Sequence, residues 1–162
     1  MSDRSKLAGA GAVLAAATAT AMAVPAVAAT PLSVHGTISG AYHRVQTNPD
    51  VGRAYRVSGH GHTSLGATKA AGRVAGTGNI QQGHCTARLV LTTTKGTLTV
   101  AVRSSKTFGA FAACQSGFAF AWHSVTASGG YAGRSGSGTG TLTLVKPSHA
   151  SQSPPPFYVT FD

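Results

Sequence analysis

The chain has 162 residues, with 13 Lys or Arg, three Asp and no Glu, for a net charge of +10. Beyond residue 29 its acidic side chains are Asp50 and Asp162 alone. Most acid–base and triad hydrolysis uses carboxylates, or histidines oriented by them, so this composition argues against enzymes of those kinds.

The first residues have the layout of a secretory signal. Arg4 and Lys6 supply positive charge, residues 7–24 form an apolar stretch with interspersed Thr, and Pro25 stops any helix there. Ala26-Val27-Ala28-Ala29 offers small residues, and cleavage after Ala28 or Ala29 fits equally well. Removal of residues 1–29 from the 162 leaves 133, enough for one domain with one core. It also removes Arg4, Lys6 and Asp3, so eleven Lys or Arg face two Asp, a net +9. No later run is long and apolar enough to span a bilayer, and the expected product is secreted and extracellular.

The rest of the chain alternates apolar and polar residues with the period of strands, and no helical period is sustained. Residues 34–43 place Val34, Ile38 and Tyr42 on one face. Asn48-Pro49-Asp50-Val51-Gly52 is a turn by composition. Residues 54–65 place Tyr55, Val57, Thr63 and Leu65 on one face and Arg56, Ser58, His60 and His62 on the other. Residues 69–80 are punctuated by glycine but still read as extended. In 86–92 the shared face is Ala87, Leu89 and Leu91; in 97–103 it is Leu98, Val100 and Val102. Thr93-Thr94-Lys95-Gly96 joins those two as a short hairpin, with Gly96 free to take a positive φ. Phe118, Phe120 and Trp122 form another inward set, and Leu142 with Leu144 the next. Residues 147–156 hold Pro147, Pro154, Pro155 and Pro156 and read as a stiff linker to a closing strand at 157–162.

About eight strands at short spacing, with glycines inside them, predict an all-β fold: a single antiparallel β-barrel over 30–146, closed by the last strand beside the first. The inward apolar sets, Leu89, Leu91, Leu98, Val100, Phe118, Phe120 and Trp122, are the expected core. Cys85 and Cys114 in an exported chain are expected to form one disulfide.

The candidate chemistry is sparse. His60-x-His62 on one strand face could grip a metal ion, with His84 or His123 as further ligands by type, yet Arg56 on the same face would repel a cation. The run from Gly129 to Gly140 is glycine-rich but lacks the Gly-Lys-Ser/Thr ending of a phosphate loop, so it reads as a turn leading into a strand. No G-x-S-x-G elbow is present for a hydrolase. Arg53, Arg56, Arg73, Arg88, Arg103 and Arg134 look scattered, with no basic run, which argues against a specific nucleic-acid partner. General attraction to anionic polymers or lipids is still expected from the charge. No cofactor is implied.

Two segments carry a resemblance. Ser58-Gly59-His60-Gly61-His62-Thr63-Ser64-Leu65-Gly66 and the stretch 128–144, opening Ser128-Gly129-Gly130-Tyr131-Ala132-Gly133, are similar to small secreted bacterial β-barrel proteins. Those proteins are likened to the allene oxide cyclase and dirigent-like barrels. The resemblance spans about 59–144 and implies a barrel. No catalytic residue of the plant cyclases matches a position of this chain, and the cysteine pair and proline-rich tail lie beyond the shared pattern.

The expectation is thus a secreted, non-enzymatic barrel that binds or packs, with general affinity for polyanions. The alternatives are a barrel that holds a small hydrophobic ligand against Phe118, Phe120 and Trp122, or a cyclase or isomerase of the related barrel type.

Overall fold

The computed structural model describes residues 30–48, 52–77, 83–108, 114, 117–146 and 154–162. The expected signal at 1–29, the turn at 49–51 and most of the linker at 147–153 lie outside the described residues. Eight strands run in chain order: β1 (Gly36–Asn48), β2 (Gly52–Thr63), β3 (Gly66–Thr77), β4 (His84–Thr93), β5 (Gly96–Ser104), β6 (Phe118–Ala127), β7 (Ser137–Leu144) and β8 (Pro156–Phe161). Each is antiparallel to its neighbours, and the sheet is a closed barrel in sequence order. β8 lies between β7 and β1, with Val159 opposite both Leu142 and Ile38. The final segment therefore removes the two edges that an open sheet would expose.

Three boundaries differ from the sequence expectation. β1 begins at Gly36, two residues after Val34, and continues to Asn48. Leu65, expected on a strand face, sits with Ser64 in the turn between β2 and β3. β3 consequently starts at Gly66 instead of residue 69, and residues 78–80 of the expected strand lie outside the described residues. This turn and the one at Thr94–Lys95 are two-residue hairpins, and each is followed by a glycine at positive φ, Gly66 (103°) and Gly96 (149°). Two bulges bend the wall. One extra residue, Val45, sits between Arg44 and Gln46 of β1; another, Val125, interrupts the β6 pairing opposite Thr99 and Val100. Both bulged valines are exposed, at 48% and 42%.

The inner face forms one apolar core. All the expected members are buried: Leu89, Leu91, Leu98, Val100, Phe118, Phe120 and Trp122. The bulk of that set is accommodated by glycine. Trp122 lies directly opposite Gly138 and Phe120 opposite Gly140. Phe157 is opposite Gly40, and Leu89 opposite Gly72. A Cβ at Gly138 would stand 2.8 Å from Trp122 Nε1, and one at Gly140 would stand 2.6 Å from the Phe120 ring. Large and small residues thus interlock across each strand pair. The rings also meet edge-on: Phe161 lies 5.8 Å from Phe120 and 5.9 Å from Trp122, centroid to centroid.

The two ends are sealed differently. At one, Tyr131 in a short 3-10 turn (Gly129–Tyr131) is buried and its hydroxyl bonds Thr93 Oγ1 at 2.7 Å. This is the turn that the glycine-rich run was expected to form before β7. Leu32 and Val34 are buried in the same core, and the Leu32 amide donates to the Ser135 carbonyl. At the other end Tyr42 packs edge-on against Tyr55 at 5.1 Å and donates to the Val145 carbonyl at 2.8 Å. Burial, and secondarily Tyr55, push the Tyr42 phenol above its usual range, which keeps it a donor. Cys85 and Cys114 form the expected disulfide, with Cα atoms 5.9 Å apart.

Two stability measurements follow from this packing. Gly140→Ala should lower unfolding stability by about 3 kcal/mol in urea titrations, because the added methyl meets both the Phe120 ring and the Thr160 carbonyl oxygen. Thr139→Ala, on the exposed face of the same strand, should stay within about 0.5 kcal/mol. The Cys85→Ser/Cys114→Ser double variant should lose about 3–4 kcal/mol, given the 29-residue separation.

Candidate anion-binding face

Alternation places every second residue of a strand on the outer wall, and antiparallel register decides which of them become neighbours. The register here aligns three arginines with a histidine. His43 on β1 lies opposite Arg56 on β2. Arg56 lies opposite Arg73 on β3, and Arg73 opposite Arg88 on β4. All four side chains are exposed. The row passes on through Ala101 of β5 to His123 of β6 and Ser137 of β7. Arg103, two residues beyond Ala101 on β5, stands diagonal to Arg88. The arginines that look scattered in the sequence are therefore a ladder in the sheet. This corrects the expectation of a basic surface without local order.

A second, weaker row runs parallel. Ser39, His60, Lys69 and Thr92 are directly opposite one another across β1 to β4. Between the two rows lie Ala41, Ser58, Ala71 and Val90, which form a floor of mostly small residues. Strand rise and spacing put neighbouring cations of the ladder about 4.8 Å apart, while Arg73 and Lys69 are about 13 Å apart along β3.

None of β1, β2, β3 and β4 contains Asp or Glu. Asp162 is the one acidic residue among the described residues, and its amide is bonded to the Thr139 carbonyl on β7. It follows β8, which stands opposite β4 in the ring of eight strands. Like charges directly opposite on adjacent strands destabilise a sheet, so the row carries an electrostatic cost.

The other candidate residues separate into inside and outside. His60 and His62 share the outer face of β2 and are exposed, as expected of positions two apart. Their cross-strand neighbours on β3 are Lys69 and Ala67. Among the described residues no three His, Cys, Asp or Glu side chains gather into a metal-holding group. Phe118, Phe120 and Trp122 point inward; Phe118 meets Phe108 edge-on at 6.2 Å, and the other two pack on Phe161 and on glycines. The Trp122 Nε1–H is buried without a hydrogen-bond partner.

An open groove of about 670 Å³ lies between the segment around Leu32 and the β6–β7 wall, with His123, Ser124, Ser135 and Ser137 on its sides. Beside it the Arg134 guanidinium donates to the Pro31 carbonyl at 3.3 Å. Ser124 is engaged by the Gly136 amide at 2.9 Å, so the groove wall is tied to the backbone of the strand beside it.

No family model, no curated protein and no solved structure matches the chain. The closed barrel is the shape that the cyclase-like resemblance implies, but unrelated families share that shape, so it does not assign kinship.

The orphan indole donor has a measurable consequence. Trp122→Phe removes an unsatisfied N–H along with some ring volume, and should cost about 1–2 kcal/mol in urea unfolding. Trp122→Ala should cost about 3–5 kcal/mol.

Proposed function

We propose that this protein is an exported, non-enzymatic β-barrel module that binds anionic material of the cell exterior, such as surface polymers or lipid headgroups. The observation that carries this reading is the exposed ladder of His43, Arg56, Arg73 and Arg88 on strands without a carboxylate. Export is supported by the basic, apolar and small-residue order of residues 1–29, and the Cys85–Cys114 bridge is compatible with an oxidising compartment. The lack of glutamate and the scarcity of aspartate support a binding role over acid–base catalysis. Interior aromatic rings packed on glycines favour the outer wall as the working surface.

The reading is tested on heparin resin. The purified, oxidised protein should be retained at about 0.15 M salt and eluted by higher salt, because each cation engaged releases a counterion. Passage through the resin unretained at that ionic strength would remove general polyanion binding.

A further inference from the structure

The groove beside Leu32 is held open by its own framework. One side is the segment 31–33, which runs parallel to the residues leading into β7, with a bridge from Pro31 to Ser135. Four ties hold that segment. Leu32 is buried in the core, and its amide donates to the Ser135 carbonyl at 2.8 Å. The Arg134 guanidinium donates to the Pro31 carbonyl, and Ser64 Oγ donates to the Ser33 carbonyl at 3.1 Å. Gly136 permits the close approach, since a Cβ there would collide with the Leu32 carbonyl oxygen. The other side is the β6–β7 wall, where sheet pairing ends at His123 opposite Ser137. The bulge at Val125 follows directly, and bulges re-aim the side chains beside them. The groove is therefore formed before any ligand arrives, as small-molecule sites usually are.

Its lining selects by hydrogen bonding and not by ionic charge. Ser33, Ser124, Ser135 and Ser137 supply hydroxyls, His123 supplies an imidazole, and no Lys, Arg, Asp or Glu lines the groove. Ionic side chains flank it in opposite senses. Arg134 is turned to Pro31, and Asp162 is bonded through its amide at Thr139, two residues along β7 from Ser137. An ion of either sign gains little from such a pair. A hydroxyl both donates and accepts, so several together complement a ligand whose own groups do both. Ser124 is preset for this, because its Oγ accepts from the Gly136 amide at 2.9 Å and keeps its proton for a further acceptor. Ser33, Ser135, Ser137 and His123 are exposed. Pro31 and Leu32 add an apolar edge suited to the C–H face of a saturated ring. The volume of about 670 Å³ falls within the roughly 300–1,000 Å³ of small-molecule sites and exceeds what one sugar ring fills.

We propose that this groove binds a neutral oligosaccharide, about two to three rings long, with its hydroxyls on the serines and His123 and a C–H face on Pro31. This goes beyond the polyanion-binding reading and does not depend on it. The arginine row lies on β2 to β4, whereas the groove is built from residues 31–33 and the β6–β7 wall, so either can fail alone.

The test titrates the oxidised, isotope-labelled protein with maltotriose, cellotriose and triacetylchitotriose while backbone amide shifts are followed by NMR. At least one trisaccharide should give saturable shifts with a millimolar Kd, largest at residues 32–33, 123–124 and 135–137. A groove variant carrying Ser33→Ala, Ser135→Ala and Ser137→Ala should bind it at least about tenfold more weakly, through loss of several hydrogen bonds at once. A control variant carrying Ser39→Ala, Ser58→Ala and Thr92→Ala loses as many exposed hydroxyls from β1, β2 and β4 and should stay within about twofold. Circular dichroism checks that both variants keep the sheet. The shift map of the unaltered protein locates the site even should the groove variant fail to fold.

Saturable shifts centred elsewhere, or equal losses in the groove and control variants, would overturn the groove as the site. No saturable shift with any of the three trisaccharides would overturn the oligosaccharide class. Tighter binding of trigalacturonate at the same residues would overturn the selection against charge, and equal affinity for linear sorbitol would overturn the need for a ring. Retention on heparin does not enter any of these outcomes, so failure of this site and failure of the polyanion reading are distinguishable.

Discussion

The fold depends on a steric pairing: a bulky side chain on one strand lying over a glycine on the next. A barrel of eight strands has an interior just wide enough for side chains to fill it. Trp122 over Gly138, Phe120 over Gly140, Phe157 over Gly40 and Leu89 over Gly72 distribute that volume around the ring. Glycine carries an entropic penalty in a strand, typically 0.5–1 kcal/mol relative to Ala. The penalty is offset where its absent side chain admits a buried ring, since each large apolar side chain buried contributes about 1.5–3 kcal/mol. The pairing also fixes register. A slip of one residue would bring Gly138 and Gly140 to the outside and set threonines against the rings.

Register fixed from within then determines the exterior. The ladder exists because the same alignment that places Leu89 over Gly72 places Arg88 opposite Arg73, one residue along on the other face. Its electrostatic cost is tolerable because exposed charges are screened by water and salt, and each unfavourable cross-strand pair is worth only about 0.2–1 kcal/mol. Inner packing supplies far more than that. The two faces therefore divide the work: glycine and aromatic residues hold the sheet, and the outer wall is free to carry charges chosen for something other than stability.

Much of the fold was legible in the sequence because period-two alternation is local. The faces of 86–92, 97–103, 118–122 and 157–161 could be taken directly from alternating residues, and so could closure of the barrel by the last strand. What was not legible is what depends on turn position. Arg56 lies eight residues before Ser64 and Arg73 eight after Leu65, so the pair follows by counting once the hairpin is centred there. With Leu65 assigned to a strand, that centre is lost and the arginines look unrelated. Gly66 was the available signal, since a glycine just past a two-residue turn recurs at Gly96 in the hairpin that was placed correctly. The bulges at Val45 and Val125 had no such marker, because valine is an ordinary strand residue.

A charged row on a closed barrel differs physically from the same charges on a flexible tail. Binding orders whatever was mobile beforehand, at about 0.5–1.5 kcal/mol per long side chain immobilised. On a tail the backbone must be ordered too, at about 1–2 kcal/mol per residue. Here the backbone of β2, β3 and β4 is already fixed by ladders on both sides of each strand. On the proposed polyanion-binding reading, side chains alone would need to settle, so a modest number of ionic contacts would yield measurable affinity. On that reading the rigid spacing would also make the surface selective for how charges are arranged along a ligand, and not only for how many there are. A protein with a high net charge and no order on its surface would lack that second property, and it is register, set by glycines on the far side of the sheet, that supplies it.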